Sequence, residues 1–162
     1  MAPSRGVNGP AGAWDLLGLA AAADARPPSV GKAERSLAGR DVRTHFATGK
    51  TGSSTLRRSL AALLADDLEL EACPRNTSEP GYFANFGLEV GGDARLTAWM
   101  VEHLRVAVCP AEAGVVLDEV ETAVLECLLP PLNIDKVRTP WRQQVRSGRQ
   151  RMAAEARLWT PA

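Results

Sequence analysis

No charge of either sign predominates in this sequence: 19 Lys and Arg stand against 19 Asp and Glu. The total therefore gives no sign of a polyanionic or membrane-surface partner, and any such partner must be argued from where the charges lie. Cysteine is scarce too. Cys73, Cys109 and Cys127 are odd in number, widely spaced and without a C-x-x-C pair, which argues against a disulfide framework or a zinc site. A reducing, cytoplasmic setting is expected. No apolar run approaches the roughly 20 residues of a membrane helix, and no N-terminal segment joins a basic start to an apolar core and a cleavage site. A soluble, unexported chain with no membrane partner is expected, so the sequon Asn76-Thr77-Ser78 marks no glycan. Tyrosine occurs once, as Tyr82.

What is present suits one domain. A chain of 162 residues can bury most of its apolar surface around one core. Residues 1–12, rich in Gly, Pro, Ala and Ser, read as a disordered leader, and residues 13–162 as a single domain. Pro27 and Pro28 stop any preceding helix and open an extended segment at Ser29, because proline lacks an amide hydrogen and pushes its predecessor out of helical geometry. Gly31 permits a tight turn. From Ser36 the spacing of Leu37, Val42 and Phe46 predicts a short helix displaying Arg40, Arg43 and His45. The loop ATGKTGSS lacks the first glycine of a P-loop, since Thr44 holds that place.

Helical periodicity is clearest over Thr55–Leu68, where Leu56, Leu60, Leu63, Leu64 and Leu68 share a side. Arg57 and Arg58 at its start oppose the helix dipole. They read either as solvated side chains or as partners of a nearby anion such as a phosphate. Cys73–Val90 reads as a long loop containing one strand. Asp93 is expected to cap a helix through His103, a structural histidine, followed by a strand over Leu104–Cys109. A helix over Asp118–Leu129 ends at Pro130-Pro131. Thr139 and Pro140 have cap and first-turn character, predicting a last helix to Trp159.

Two constellations carry chemistry. On the Asp118 helix, at about 100° per residue, Val120, Val124 and Leu128 define an apolar face with Glu121 at its edge. A carboxylate there needs a partner, which a metal ion or an arginine would supply. The other reading is a capping box, because Asp118-x-x-Glu121 has the spacing at which Glu121 reaches back to the cap residue's amide. In the last helix Trp141, Val145, Met152 and Trp159 form a packing stripe, beside which Arg142, Arg146, Arg149 and Arg157 form a basic ribbon. It is either a solvated face or a track for a phosphate backbone.

SVGKAERSLAGR, from Ser29 to Arg40, followed downstream by ETAVLECLLPPLN, from Glu121 to Asn133, resembles the GIY-YIG nuclease superfamily. In that superfamily a Y-I/V-G strand precedes an L-x-x-R helix start, and a helical glutamate precedes P-x-x-N. THFATGKTGSSTLRRSLAALL and TPWRQQVRSGRQRMAAEARLW are similar to a bacterial subgroup of it, so the resemblance covers Ser29 to the C-terminus. It implies an α+β, helix-rich fold with a small central antiparallel sheet flanked by helices. The implied chemistry is hydrolysis of a DNA phosphodiester assisted by Mg²⁺ or another divalent cation.

Position by position, Gly31 matches the glycine of the second triplet and Arg40 the arginine that holds the scissile phosphate. Glu121 matches the metal-binding carboxylate and Asn133 the asparagine that orders the site. Lys32 and His45 are auxiliary candidates. The second-triplet tyrosine is replaced by Ser29, and no G-x-Y triplet stands upstream. The Gly31–Arg40 interval is one residue longer than the commonest pattern, which brings in Arg43 as a substitute for Arg40. A serine hydroxyl is shorter and much less acidic than a phenol and cannot reach the same point. An impaired nuclease is the expectation, with a non-catalytic nucleic-acid-binding module and a structural domain capped by Glu121 as alternatives.

Overall fold

Ser54 is a good helix opener because its hydroxyl can accept from an orphan amide of the first turn. It does so: its Oγ accepts from Arg57 N at 3.1 Å and begins α1, Thr55–Leu63. The computed structural model describes residues 27–31, 45–105 and 114–161. Leu60, Ala61 and Leu64 are fully buried, as the leucine spacing requires. Regular helix ends before the expected Leu68 in a reversal where Glu69 adopts φ +49° and Leu70 N bonds Ala65 O at 2.8 Å. This is the backbone pattern usual for a glycine. Here Arg95 helps hold it, donating from Nε to Leu68 O at 2.7 Å and satisfying a terminal carbonyl with a cation.

The chain then enters β1, Ala72–Cys73, which pairs antiparallel with β2, Gly87–Leu88, in the register Ala72 to Leu88 and Cys73 to Gly87. The intervening loop has one short 3₁₀ turn, Phe83–Asn85. The expectation of one strand in this stretch thus becomes two strands bracketing a loop. α2 spans Val90–His103, beginning ahead of the expected cap. Asp93 N already bonds Glu89 O at 2.8 Å, and the carboxylate is spent on Arg57. Asp93 is therefore an interior residue of the helix. His103 is structural, stacked on Trp99 at 4.7 Å and bonded through Nδ1 to Trp99 O. Leu104 and Arg105 leave the helix without forming a strand, and the rest of the strand expected at Leu104–Cys109 lies outside the described residues.

α3 runs Leu117–Leu128 and α4 runs Arg142–Leu158. α4 starts later than Thr139-Pro140 suggests. Arg142 N bonds Thr139 O at 3.1 Å in a preceding turn, so that Trp141, which packs on the core, becomes the cap. The inner stripe of α4 is Val145, Met152 and Ala156, with Trp141 and Trp159 only half-buried. Gly148 lies on that stripe against α1, where a Cβ would meet Ala62 Cβ and O at 3.1 Å. A larger side chain would push the two helices apart. The core joins Leu60, Leu64, Phe86, Leu96, Met100, Ile134, Val145 and Met152.

Four helices around a small two-stranded antiparallel sheet, among the described residues, give the helix-rich α+β architecture expected. No described helix is long and apolar enough to cross a membrane. The expected leader and, as far as residue 44, the helix expected from Ser36 lie outside the described residues.

Candidate active site

Extended backbone needs partners for its amides and carbonyls, and Pro28 and Val30 find theirs on the turn after α3. Leu129 ends that helix with φ +45°, and Pro130-Pro131 forbid its continuation. Leu132 N then bonds Pro28 O at 3.0 Å. The side-chain amide of Asn133 completes the seam, accepting from Val30 N at 2.8 Å on Oδ1 and donating from Nδ2 to Val30 O at 2.7 Å. An asparagine thus acts as a short strand would. Ser29 and Gly31 flank the clamped Val30, and the space where a Gly31 Cβ would stand is open. Asn133→Ala is expected to strip both bonds, cost about 1–3 kcal/mol in urea unfolding, and speed amide exchange at Val30. Unchanged exchange there would show that the seam does not depend on the side chain.

Glu121, on α3, is only 8% exposed, and its carboxylate bonds Lys136 Nζ in the turn beyond Asn133. The capping-box reading is corrected. α3 is capped at Val116 and starts at Leu117, so Asp118 lies inside the first turn and is not the cap that Glu121 would have to reach. The helix face is corrected too. Val120 is 45% exposed, while Glu121 and Leu125 form the buried line. The ion pair makes this orientation tolerable, because an unpaired carboxylate would resist burial.

The nearly buried Glu121 carboxylate has its positive partner in Lys136. Among the described residues no group of three or more His, Cys, Asp or Glu side chains clusters to hold a metal. A single carboxylate would leave water and phosphate to complete the shell of an ion, as Mg²⁺, which retains several waters, allows.

The remaining candidates separate. His45 is built into the entrance of α1, its Nδ1 2.6 Å from Ser54 Oγ and its carbonyl accepting from Arg57 Nη1 at 3.0 Å. Lys32, Arg40 and Arg43 lie outside the described residues. Tyr82 is 90% exposed in the loop before β2.

Arg57 must be withdrawn as a contact to nucleic acid, because it is fully buried. Its Nε donates to Thr51 Oγ1 at 3.0 Å, and Nη2 donates to Thr97 Oγ1 at 2.9 Å and to the Asp93 carboxylate. Burial pulls its pKa down from the ordinary value, and the Asp93 charge opposes that. The solvated reading fails for the same reason. Arg58 is half-buried and donates from Nη1 to Gly52 O at 2.8 Å.

Burial lowers the Arg58 pKa, and Arg149 and Arg75 lower it further. Arg149 is likewise lowered by burial, with Asp135 opposing and Arg146 adding to the fall. Arg58 therefore feels Arg149 and Arg75, and Arg149 feels Arg146, with Asp135 set against both Arg58 and Arg149. Arg149 is the tethered member, donating from Nε to Ser59 Oγ at 3.1 Å and pairing with Asp135 at 3.7 Å. Arg142 Nε is buried and has no hydrogen-bond partner. At the Arg75 end opens a cleft of about 590 Å³, lined by Lys50, Arg75, Glu89 and Trp159 among others, but by none of Ser29, Glu121 and Asn133.

The structure thus brings Ser29 and Gly31 to Asn133, and sets Glu121 against Lys136 on the turn that follows. Sequence reasoning missed Lys136, although it anticipated that Glu121 would need a cation. It also missed Asp93 as the partner of Arg57.

Among known proteins, no curated protein and no solved structure matches the chain. A family comparison does: residues 29–151 match the GIY-YIG catalytic domain, a span that begins at the segment Asn133 clamps and includes Glu121, and the chain belongs to that family.

Proposed function

We propose that the chain is a DNA endonuclease of the GIY-YIG type that hydrolyses phosphodiesters with metal assistance, at a rate reduced by the loss of both motif tyrosines. The observation that carries this reading is the pair of hydrogen bonds between Asn133 and Val30. It ties the second-triplet segment to the P-x-x-N turn, next to the helix that presents Glu121. Glu121 would hold a divalent cation, which would supply charge stabilisation to the phosphate and leaving oxygen. Asn133 holds the segment around Val30 in place, and Arg40, or Arg43 in its stead, offers the scissile phosphate a planar, permanently charged fork. Ser29 occupies the position of the activating phenol and is too short and too weakly acidic to replace it.

DNA is expected to run along Arg146, Arg149, Arg58 and Arg75, with Arg142 alongside. Replacing Arg142 and Arg146 together should weaken binding of a duplex and flatten the dependence of log K on log salt by about 1–2 units. Arg149 is better left intact, because it also braces α1. A slope equal to the wild type would remove this face from the DNA path. The second reading, a non-catalytic nucleic-acid-binding module of the same fold, is favoured by one fact: the only tyrosine, Tyr82, belongs to neither motif position.

A further inference from the structure

We propose that Lys136 is a latch on the metal position: its ammonium holds the Glu121 carboxylate, and a divalent cation must displace it to bind. The inference rests on reading Glu121 as the metal-binding carboxylate. Glu121 is 8% exposed, and its carboxylate, once buried, demands a cation at all times. The Lys136 side chain is 52% exposed, on a flexible stem that can swing into water without crossing the core. The two partners are unequal: one is fixed in a helix and the other can leave.

A divalent cation and an ammonium cannot share one carboxylate closely without strong repulsion, so the two compete. The turn that carries Lys136 is also braced from the site, since Val137 N bonds Asn133 O at 3.3 Å and Asn133 holds Val30. The latch is therefore set beside the seam and aimed at Glu121 without any help from the metal. In the free protein it keeps the carboxylate paired and folded inward.

The test is a calorimetric titration with Mn²⁺ of the full chain and of Lys136→Gln, Lys136→Arg, Glu121→Gln and the double variant Glu121→Gln/Lys136→Gln. Lys136→Gln is expected to bind Mn²⁺ about tenfold more tightly than the wild type, Lys136→Arg to stay close to it, and the double variant to lose the gain. If Lys136→Gln binds no more tightly while Glu121→Gln still weakens binding, the latch is overturned and the metal role of Glu121 survives. If binding is indifferent to Glu121 in both backgrounds, that role itself fails.

A second measurement needs no substitution at all. Acetylation of Lys136 by an amine-reactive ester, followed by mass spectrometry of the wild type, should rise several-fold when Mn²⁺ is added. Labelling that does not respond to Mn²⁺ would overturn the latch even if Lys136→Gln failed to fold.

Discussion

Arg57→Ala is expected to cost about 3–5 kcal/mol of stability, enough to leave a protein of ordinary marginal stability partly unfolded without denaturant. The guanidinium is fully buried and binds elements far apart in sequence: the loop at Thr51, the backbone at His45, and Asp93 and Thr97 on α2. Removing it leaves the Asp93 carboxylate buried without its charge partner, which costs more than the pair contributes when intact. Asp93→Ala should be nearly as damaging for the reciprocal reason. Arg57→Met with Asp93→Leu should recover much of the loss, because two apolar groups leave no uncompensated charge. Urea unfolding of the four proteins checks this. Loss of less than about 1 kcal/mol in Arg57→Ala would mean that water reaches Asp93 and that the pair behaves as a surface contact does.

That residue shows where the sequence was legible and where it was not. α1 could be read because its leucine spacing and its Ser54 cap are local signals, and the structure follows them. Arg57 could not, since a cation in a first turn ordinarily faces solvent. Its burial is decided by an aspartate 36 residues away. The same reasoning covers Asp93, whose spacing suggested a cap and whose carboxylate had a stronger partner.

α3 was placed to within a residue at each end, yet its face was misassigned, because Lys136 allows Glu121 to point inward in place of Val120. β1 and β2 are two residues each and owe their extended form to each other, so neither offers an alternation to read. Asn133 is a different case. Its side chain was singled out only through the family resemblance, and nothing in the spacing of the turn announced that it would bond Val30.

Glu121→Gln is expected to cut metal-dependent DNA cleavage by about two to three orders of magnitude, the scale on which removing one group that stabilises transition-state charge usually acts. Glutamine keeps the size and shape of the side chain but brings no negative charge to hold a divalent cation. Lys136, half exposed, can turn to solvent when its partner is neutralised, so the fold should survive and a loss of activity can be separated from unfolding by circular dichroism.

The measurement that bears most directly on the account is conversion of supercoiled plasmid to the nicked form by the wild type and by Glu121→Gln, with Mg²⁺ or Mn²⁺ and with chelator. The account predicts slow nicking by the wild type that stops with chelator and all but disappears in Glu121→Gln. Equal nicking by the two proteins, or no nicking by a wild type that still binds DNA, would contradict it.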